Sequence, residues 1–385
     1  MVQPSGQRPL EGIRIADFTW IVAGPQCTRI FADLGADVIR IENESYLDST
    51  RNGTSGMFNN FNRNKRSVTA NIWHPGGREM AERLIARSDA VVENFSAGAF
   101  ERMGFGYDHL REINPNIIYL SLSGFGHEGI DISNITWGPT AQAISGLTGM
   151  SGLPDQPPAG WGFSYLDHTA GYYGAIGLLQ AIYHRKRTGQ GQYIDVALLD
   201  CMLNILVSEC QELQAPSKEK TRVYPPLETR DGYVVVAPTS QKNFEQLTGV
   251  IAHPEWLADP RFITSGMREK NWSEFMALIE LWTRERSGQE VETLLIAGGV
   301  PCTRYMTVRE AMANPQLHSR GALSRVEDAA GAYWVPNAPF QMPGLHTSPR
   351  PTVPGLGEST VDVLREQLGY SSDEAIACSG APARA

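Results

Sequence analysis

The first third of the chain alternates between short apolar runs and amphipathic stretches. That alternation limits the fold more tightly than any single motif does. GIRIADF (12–18) reads as a buried strand. GPQCTRIFADLG (24–35) follows as a helix, with Pro25 where a first turn tolerates proline and Gly35 as its stop. ADVIRIE (36–42) is a second strand. PGGREMAERLIARS (75–88) is an amphipathic helix with Met80, Leu84 and Ile85 on one face. AVVENF (90–95) is a third strand, and NIIYLSLSGFG (116–126) a fourth that runs into a glycine-rich turn. This β-α-β-α rhythm predicts an α/β fold, with a mainly parallel sheet and helices on both faces.

From 127 to 166 the pattern fades into Gly, Pro and Ser. Residues 167–189 then read as a helix, capped by Asp167 or Thr169 and ended by Gly189. The basic run His184-Arg185-Lys186-Arg187 suits its negative end. QYIDVAL (192–198) is a further strand. The charged, proline-containing stretch 218–232 suggests a boundary, and DGYVVVAP (231–238) opens a smaller unit with helices near 241–251, 272–284 and 288–297. A final helix is expected near 359–368, with a frayed tail CSGAPARA behind it.

Composition excludes several classes. Hydrophobic residues make up 42% of the 385, enough for a sizeable core. No apolar run approaches the ~18 residues that span a bilayer, and the opening MVQPSGQRPLEG does not read as a secretory signal. A net charge of -9 argues against a nucleic-acid partner. The five cysteines show no C-x-x-C spacing, so neither a zinc site nor a disulfide framework is expected, and a reducing, cytoplasmic setting fits. No metal constellation is present.

Gly124-Phe125-Gly126-His127-Glu128-Gly129 spells a dinucleotide-binding turn, but IDISNITWGP after it has no helical period to receive a pyrophosphate. Asp167 has two compatible readings. It caps a helix, or it is a carboxylate held at a helix start, exposed, ionised at neutral pH and able to attack a thioester. His127 and His168 are candidate bases without an evident acidic partner. Asn64-Lys65-Arg66-Ser67 is either a phosphate-binding turn or an ordinary basic one.

Taken together and in order, PLEGIRIADFTWIVAGPQCTRIFADLGADVIRIE, NKRSVTANIWHPGGRE, VVENFSAGAFERMGFGYDHLREINPNIIYLSLSGFG, DHTAGYYGAIGLLQAIYHRKRTGQGQYIDVALLD, DGYVVVA, DPRF, APF and GLGEST resemble the class III (CaiB/BaiF) CoA-transferase family. The likeness runs from about residue 9 to 370, and its phrases are closest to the benzylsuccinate and carnitine branch. It implies a Rossmann-like large domain from residues 1–223 and 326–385, a smaller inserted α+β domain at 224–325, and an interlocked homodimer of threaded rings. It also implies an acyl-CoA and a carboxylic acid as substrates, with no permanently bound cofactor.

The resemblance makes Asp167 the nucleophile, since that helix ends in Arg185 and Thr188-Gly189-Gln190-Gly191-Gln192 as the family motif does. It places coenzyme A against Val22, Ala23, Ala70, Asn71, Ile72, Trp73, Asn94, Phe95, Arg102 and Met103. Arg102 is the expected phosphate partner, and Met103 an adenine or pantetheine wall. Backbone N–H groups around His168 and Thr169 are expected to stabilise the oxyanion. Three departures stand out. Val22 replaces a Gln of formyl-CoA transferase, Gly138 replaces a Glu, and a tetraglycine lid is missing. Formate and oxalate are therefore poor expectations. Trp20, Trp137, Trp161 and Phe163 suggest a larger, less polar acid. Two alternatives remain. One is an acyl-CoA racemase of the same family, whose histidine position is occupied by Trp137. The other is a non-catalytic acyl-CoA-binding subunit of a heteromeric transferase.

Overall fold

A computed structural model describes residues 8–52, 56–152, 155–160, 162–215, 224–328, 331–347 and 353–379. The chain divides into two compact units, Met1–Ala215 with Gly321–Ala385, and Pro216–Arg320. The expected boundary at 223/224 abuts residues 216–223, which lie outside the described residues, as does nearly all of the expected frayed tail.

The larger unit holds strands β1 (Arg14–Asp17), β2 (Asp37–Glu42), β3 (Arg66–Thr69), β4 (Ala90–Glu93), β5 (Ile118–Ser123) and β6 (Tyr193–Ala197). They form one parallel sheet in the order β3-β2-β1-β4-β5-β6, with Ile15 of β1 opposite both Val38 of β2 and Ala90 of β4. This is the Rossmann-like arrangement. β3 begins inside the Asn64–Ser67 run, at Arg66, and forms an edge.

The helices are α1 (Ala23–Asp33), α2 (Met57–Asn62), α3 (Pro75–Ile85), α4 (Ala99–Arg102), α5 (Tyr107–Ile113), α6 (Gly138–Ile144), α7 (Tyr165–Thr188) and α8 (Leu198–Leu203). Side chains on a strand alternate between faces, so each strand feeds two cores. Ile15, Val92, Leu120 and Leu122 pack on one face with Phe31 of α1, Leu178 of α7 and Met202 of α8. Ala16, Val91 and Tyr119 pack on the other with Leu84 of α3, Leu110 of α5 and Leu364 from the helix Thr360–Leu368. A sheet covered on both faces explains why its strands read as nearly unbroken apolar runs. One more helix, Ser372–Ser379, follows the one expected to be last.

The smaller unit carries an antiparallel sheet of Leu227–Thr229, Gly232–Val236 and Cys302–Arg304. Its helices Gln241–Val250, Trp272–Thr283 and Gly288–Ala297 close a separate core around Phe244, Phe262 and Phe275.

α7 begins two residues before the expected start. Ser164 is its N-cap, and the Tyr165 N–H donates to Gln142 Oε1 at 2.8 Å. Asp167 is therefore the third residue of the helix rather than its cap. Gly189 ends it in the left-handed region at φ 76°. Arg185 does more than face solvent, since it donates to the Asp89 carboxylate at 2.5 Å and so ties the end of α7 to the start of β4.

Candidate active site

β1 and β4 are neighbours at the centre of the sheet, and the connections leaving them run outward in opposite directions. In such sheets a crevice opens beyond the carboxyl ends of the strands at this switch point. A cavity of about 810 Å³ lies there. Its wall takes Trp20 to Ala23 from beyond β1, Asn94 and Phe95 from beyond β4, and Ser123 to Phe125 from the end of β5. Asp167 is also part of it.

The turn after β1 is fixed at every residue. Asp17 accepts from the Thr19 N–H at 2.9 Å, and Arg40 donates to Thr19 O at 2.8 Å. Trp20 and Asn94 exchange two bonds, Trp20 N–H to Asn94 Oδ1 at 2.6 Å and Asn94 Nδ2 to Trp20 O at 3.0 Å. Ile21 adopts φ 63°, a left-handed backbone that a β-branched residue resists. Its N–H is held by Asp48 Oδ2 at 3.0 Å. Such strain costs on the order of 1–3 kcal/mol and persists only where surroundings enforce it.

The enforcement is a buried ionic cluster. Asp17 pairs with Lys65 at 2.9 Å, Arg40 with Asp48 at 2.8 Å and Arg51 with Glu42 at 2.6 Å. Burial pushes the Lys65 ammonium down to about 8, against the pull of Asp17. Burial alone would raise the Asp17 carboxyl, but Lys65 and Arg40 more than offset it and hold it below the usual range. The basic turn is thereby settled as structural. Asn64 donates to Asp33 at 2.6 Å, Arg66 to Asp37 at 2.7 Å and Ser67 to Glu42 at 2.6 Å, so its donors are taken by carboxylates rather than left for a phosphate.

Asp167 is partly buried, and the Ser164 side chain hydrogen-bonds to it. Burial pushes its carboxyl up to about 6, with the Ser164 bond opposing. The expectation of an exposed carboxylate kept acidic by the helix end is therefore corrected, because desolvation outweighs the helix terminus. The group still ionises at neutral pH. Two glycines make the close approach possible. A Cβ on Gly138 would overlap Asp167 Oδ2, and one on Gly171 would press 2.8 Å from Ala23 O, where α7 crosses α1. The amides expected to form the oxyanion hole are not free for it. His168 N–H donates to Ser164 O at 3.3 Å, and Thr169 lies within the helix.

The cavity wall contains Val22, Ala23, Ala70, Ile72, Trp73, Asn94, Phe95, Met103 and Asp167 of the expected set. Asn71 and Arg102 are not part of the wall. Asn71 turns its side-chain Oδ1 to accept from the Trp73 N–H at 3.1 Å, and Arg102 is exposed with its guanidinium folded over Gly98, one residue beyond the wall residue Ala97. Trp20 and Trp137 line the cavity, Phe163 does not, and Trp161 lies outside the described residues. No helix follows the Gly124–Gly129 motif directly. His127 is tied to Ser121 Oγ at 2.8 Å and to Asp195, away from the cavity wall, and His168 rests against the ring of Phe61.

Reasoning from sequence missed Ser123, Ile135 and Glu93. Burial pushes Glu93 up to about 7, and it accepts from the Phe95 N–H at 2.7 Å, which orients a wall residue.

A Rossmann-like sheet here carries an ionisable carboxylate in its switch-point cavity, the place where such sheets bind ligands. The family model for CoA-transferase family III matches residues 10–360. The formyl-CoA:oxalate CoA-transferase of Escherichia coli O81 (strain ED1a) is 31% identical, over 95% of this chain and 97% of that protein. The succinyl-CoA–D-citramalate CoA-transferase of Chloroflexus aurantiacus is 30% identical over 95% and 96%. The crystal structure of a CaiB/BaiF family protein from Brucella suis superposes with a TM-score of 0.84 at 30% identity, covering 94% of this chain and 100% of that one. The chain belongs to CoA-transferase family III and is an enzyme of that class.

Proposed function

We propose that the protein moves coenzyme A from an acyl-CoA donor to a free carboxylic acid through covalent intermediates on Asp167. The observation that carries this reading is the Asp167 carboxylate, unpaired with any cation among the described residues and raised to about 6, lining a cavity large enough for a thioester, whereas the wall's other carboxylate, Glu42, is held by Arg51. Asp167 attacks the donor thioester, forming a mixed anhydride and releasing CoA thiolate. The thiolate attacks the Asp167 carbonyl carbon, giving an aspartyl-CoA thioester and freeing the first acid. The acceptor carboxylate attacks that thioester, re-forming an anhydride and the thiolate. The thiolate then takes the new acyl group and restores the Asp167 carboxylate. The thioester is conserved throughout. No histidine among the described residues lines the cavity, which favours transfer over racemisation. The test is intact-protein mass spectrometry after mixing with acyl-CoA, followed by peptide mapping. A covalent adduct mapped to Asp167 is expected, and its absence with every donor tried would sink the reading.

The nucleotide half of CoA is assigned to the side of the cavity carrying Ala70, Ile72, Trp73, Asn94, Phe95 and Met103, with Arg102 at the rim meeting a phosphate. Arg102→Ala should raise KM by a similar factor, about tenfold, for all CoA donors and leave acid preference unchanged. That is the signature of lost uniform binding. A change confined to one acid would place Arg102 at the acyl group instead.

The proposed working form is an interlocked dimer. Its support is α7, whose outward residues Tyr172, Ile176, Leu179 and Tyr183 recur at helical spacing and stand exposed, Tyr183 by 63%. A helix apolar on all sides is ordinarily buried on all sides. Threaded subunits separate only with unfolding, so tagged and untagged protein mixed at nanomolar concentration should form no mixed dimers within hours. Exchange within minutes would rule out threading.

A further inference from the structure

The cavity wall is unusual in what it offers an acid. Its charged side chains are Asp167 and Glu42, and Glu42 is already neutralised by Arg51 at 2.6 Å and Ser67 at 2.6 Å. Among the described residues, no Lys, Arg or His lines it. Two of the three side-chain amides are engaged, Asn94 with Trp20 O at 3.0 Å and Asn134 with Asp131 at 3.0 Å, and the third, Asn43, reaches Asn71 Oδ1 at 3.5 Å. The chain that leads into Gly138, and so onto the Asp167 carboxylate, presents Ile132, Ile135 and Trp137 to the cavity. Those three are exposed by 40%, 78% and 60%, apolar surface with nothing yet packed on it.

A carboxylate moved from water into such surroundings without a cation loses most of its hydration uncompensated. One carboxylate of the acceptor reacts at the active centre. A second would find no cation in this wall, only hydroxyls and amides. We propose that the acceptor is a monocarboxylic acid with an apolar body, aryl or branched aliphatic, and that Ile135 and Trp137 read that body. This rests on the transferase reading above. It separates the chain from its relatives, whose names specify oxalate and D-citramalate.

The test uses the purified protein with phenylacetyl-CoA, 3-methylbutanoyl-CoA and succinyl-CoA as donors. Phenylacetate, 3-methylbutanoate, oxalate and succinate are the acceptors, and thioesters are separated by chromatography. The two monocarboxylates should exceed the two dicarboxylates in kcat/KM by about 100-fold or more. Trp137→Ala should lower kcat/KM for phenylacetate by about tenfold or more, with less effect on succinate. Ile135→Arg should shift the ratio of succinate to phenylacetate upward by about tenfold. Preference for the dicarboxylates overturns this inference and leaves the transferase reading standing. No thioester exchange with any pair, together with no adduct on Asp167, overturns both.

A separate observation carries a second inference. The Ser123 hydroxyl, at the end of β5, is 5% exposed, lines the cavity and has no hydrogen-bond partner. Buried hydroxyls are nearly always paired, and an orphan asks for an explanation. We infer that Ser123 donates to a carbonyl oxygen of bound acyl-CoA, either the thioester or a pantetheine amide. Ser123→Ala should leave the Tm of the free protein unchanged or raised, since an unsatisfied group is removed. It should weaken catalysis by about tenfold. The loss falls on kcat if the thioester carbonyl is the acceptor, and on KM alone if it is the amide. Unchanged kcat and KM, or a lowered Tm, would overturn the assignment.

Discussion

Asp167→Asn is expected to abolish CoA transfer and to yield a protein more stable than the parent at pH 7. Activity falls because the amide cannot form the anhydride, and a loss of about 10³-fold or more in kcat is expected when a covalent nucleophile is removed. Stability rises because burial holds the Asp167 carboxyl at about 6, above its usual 3.8. Between those pH values the folded chain keeps a proton that the unfolded chain has lost. Stability therefore declines as pH rises through that window, and the full deficit is present above about 6. Its size is on the order of 2–3 kcal/mol, which the neutral amide removes. Calorimetry of both proteins at pH 4 and pH 7 checks the sign, since the gain should be present at pH 7 and nearly absent at pH 4. In the parent enzyme kcat should climb with pH through about 6. A variant that keeps more than about a tenth of wild-type kcat ends the nucleophile assignment, whatever its stability.

Lys65→Met is expected to destabilise the larger unit by about 3–5 kcal/mol, the cost of leaving one member of a buried pair without the other. Lys65 is buried, 2.9 Å from Asp17 and 2.9 Å from Asn62 Oδ1. Without it the Asp17 carboxylate keeps its Thr19 and Thr28 hydroxyl donors and loses its nearest cation. The loss should extend to function, because Asp17 also holds the Thr19 N–H and so the turn that shapes the cavity. Lys65→Met combined with Asp17→Asn should recover more than half of the lost stability, since the uncompensated charge is gone. Urea unfolding of the two single variants and the double variant measures this. Equal destabilisation of Lys65→Met and the double variant would show that packing, and not charge, is what Lys65 supplies.

Apolar periodicity made most of the larger unit legible. The runs containing β1, β2, β4 and β5 announce themselves because a doubly covered parallel sheet needs both side-chain parities apolar. The end of α7 was equally plain, since Gly189 is a local signal. Its start was not. The donor that begins the helix, Tyr165 N–H, is satisfied by Gln142, far back in the chain, and no local pattern reveals such a bond. The site divides in the same way. Residues carried by recognisable turns, such as Val22, Ala23 and Asn94, reach the cavity, whereas Asn71 spends its side chain on its own turn and Arg102 stands outside. The cluster of Asp17, Arg40, Asp48 and Lys65 was invisible because four charges scattered over two strands and two connecting segments become partners only when the sheet assembles. The NKRS turn misled for that reason, as its donors look free until the carboxylates arrive.

The absence of a side chain at Gly138 has a consequence for how this enzyme can change. A larger residue there would collide with Asp167 Oδ2 and with Ser164, so any carboxylate or amide introduced at 138 meets side chains that leave no place for it. Substitution at 138 must wait until the segment running into α6 has drawn back, and that retreat has no benefit until 138 has changed. The two steps are worthless apart and useful together, so their effects will be far from additive. Laboratory selection that proceeds one mutation at a time should therefore stall at this position and find new acid preferences first at Ile135 and Trp137. Libraries that randomise 132–139 as a block should escape the stall.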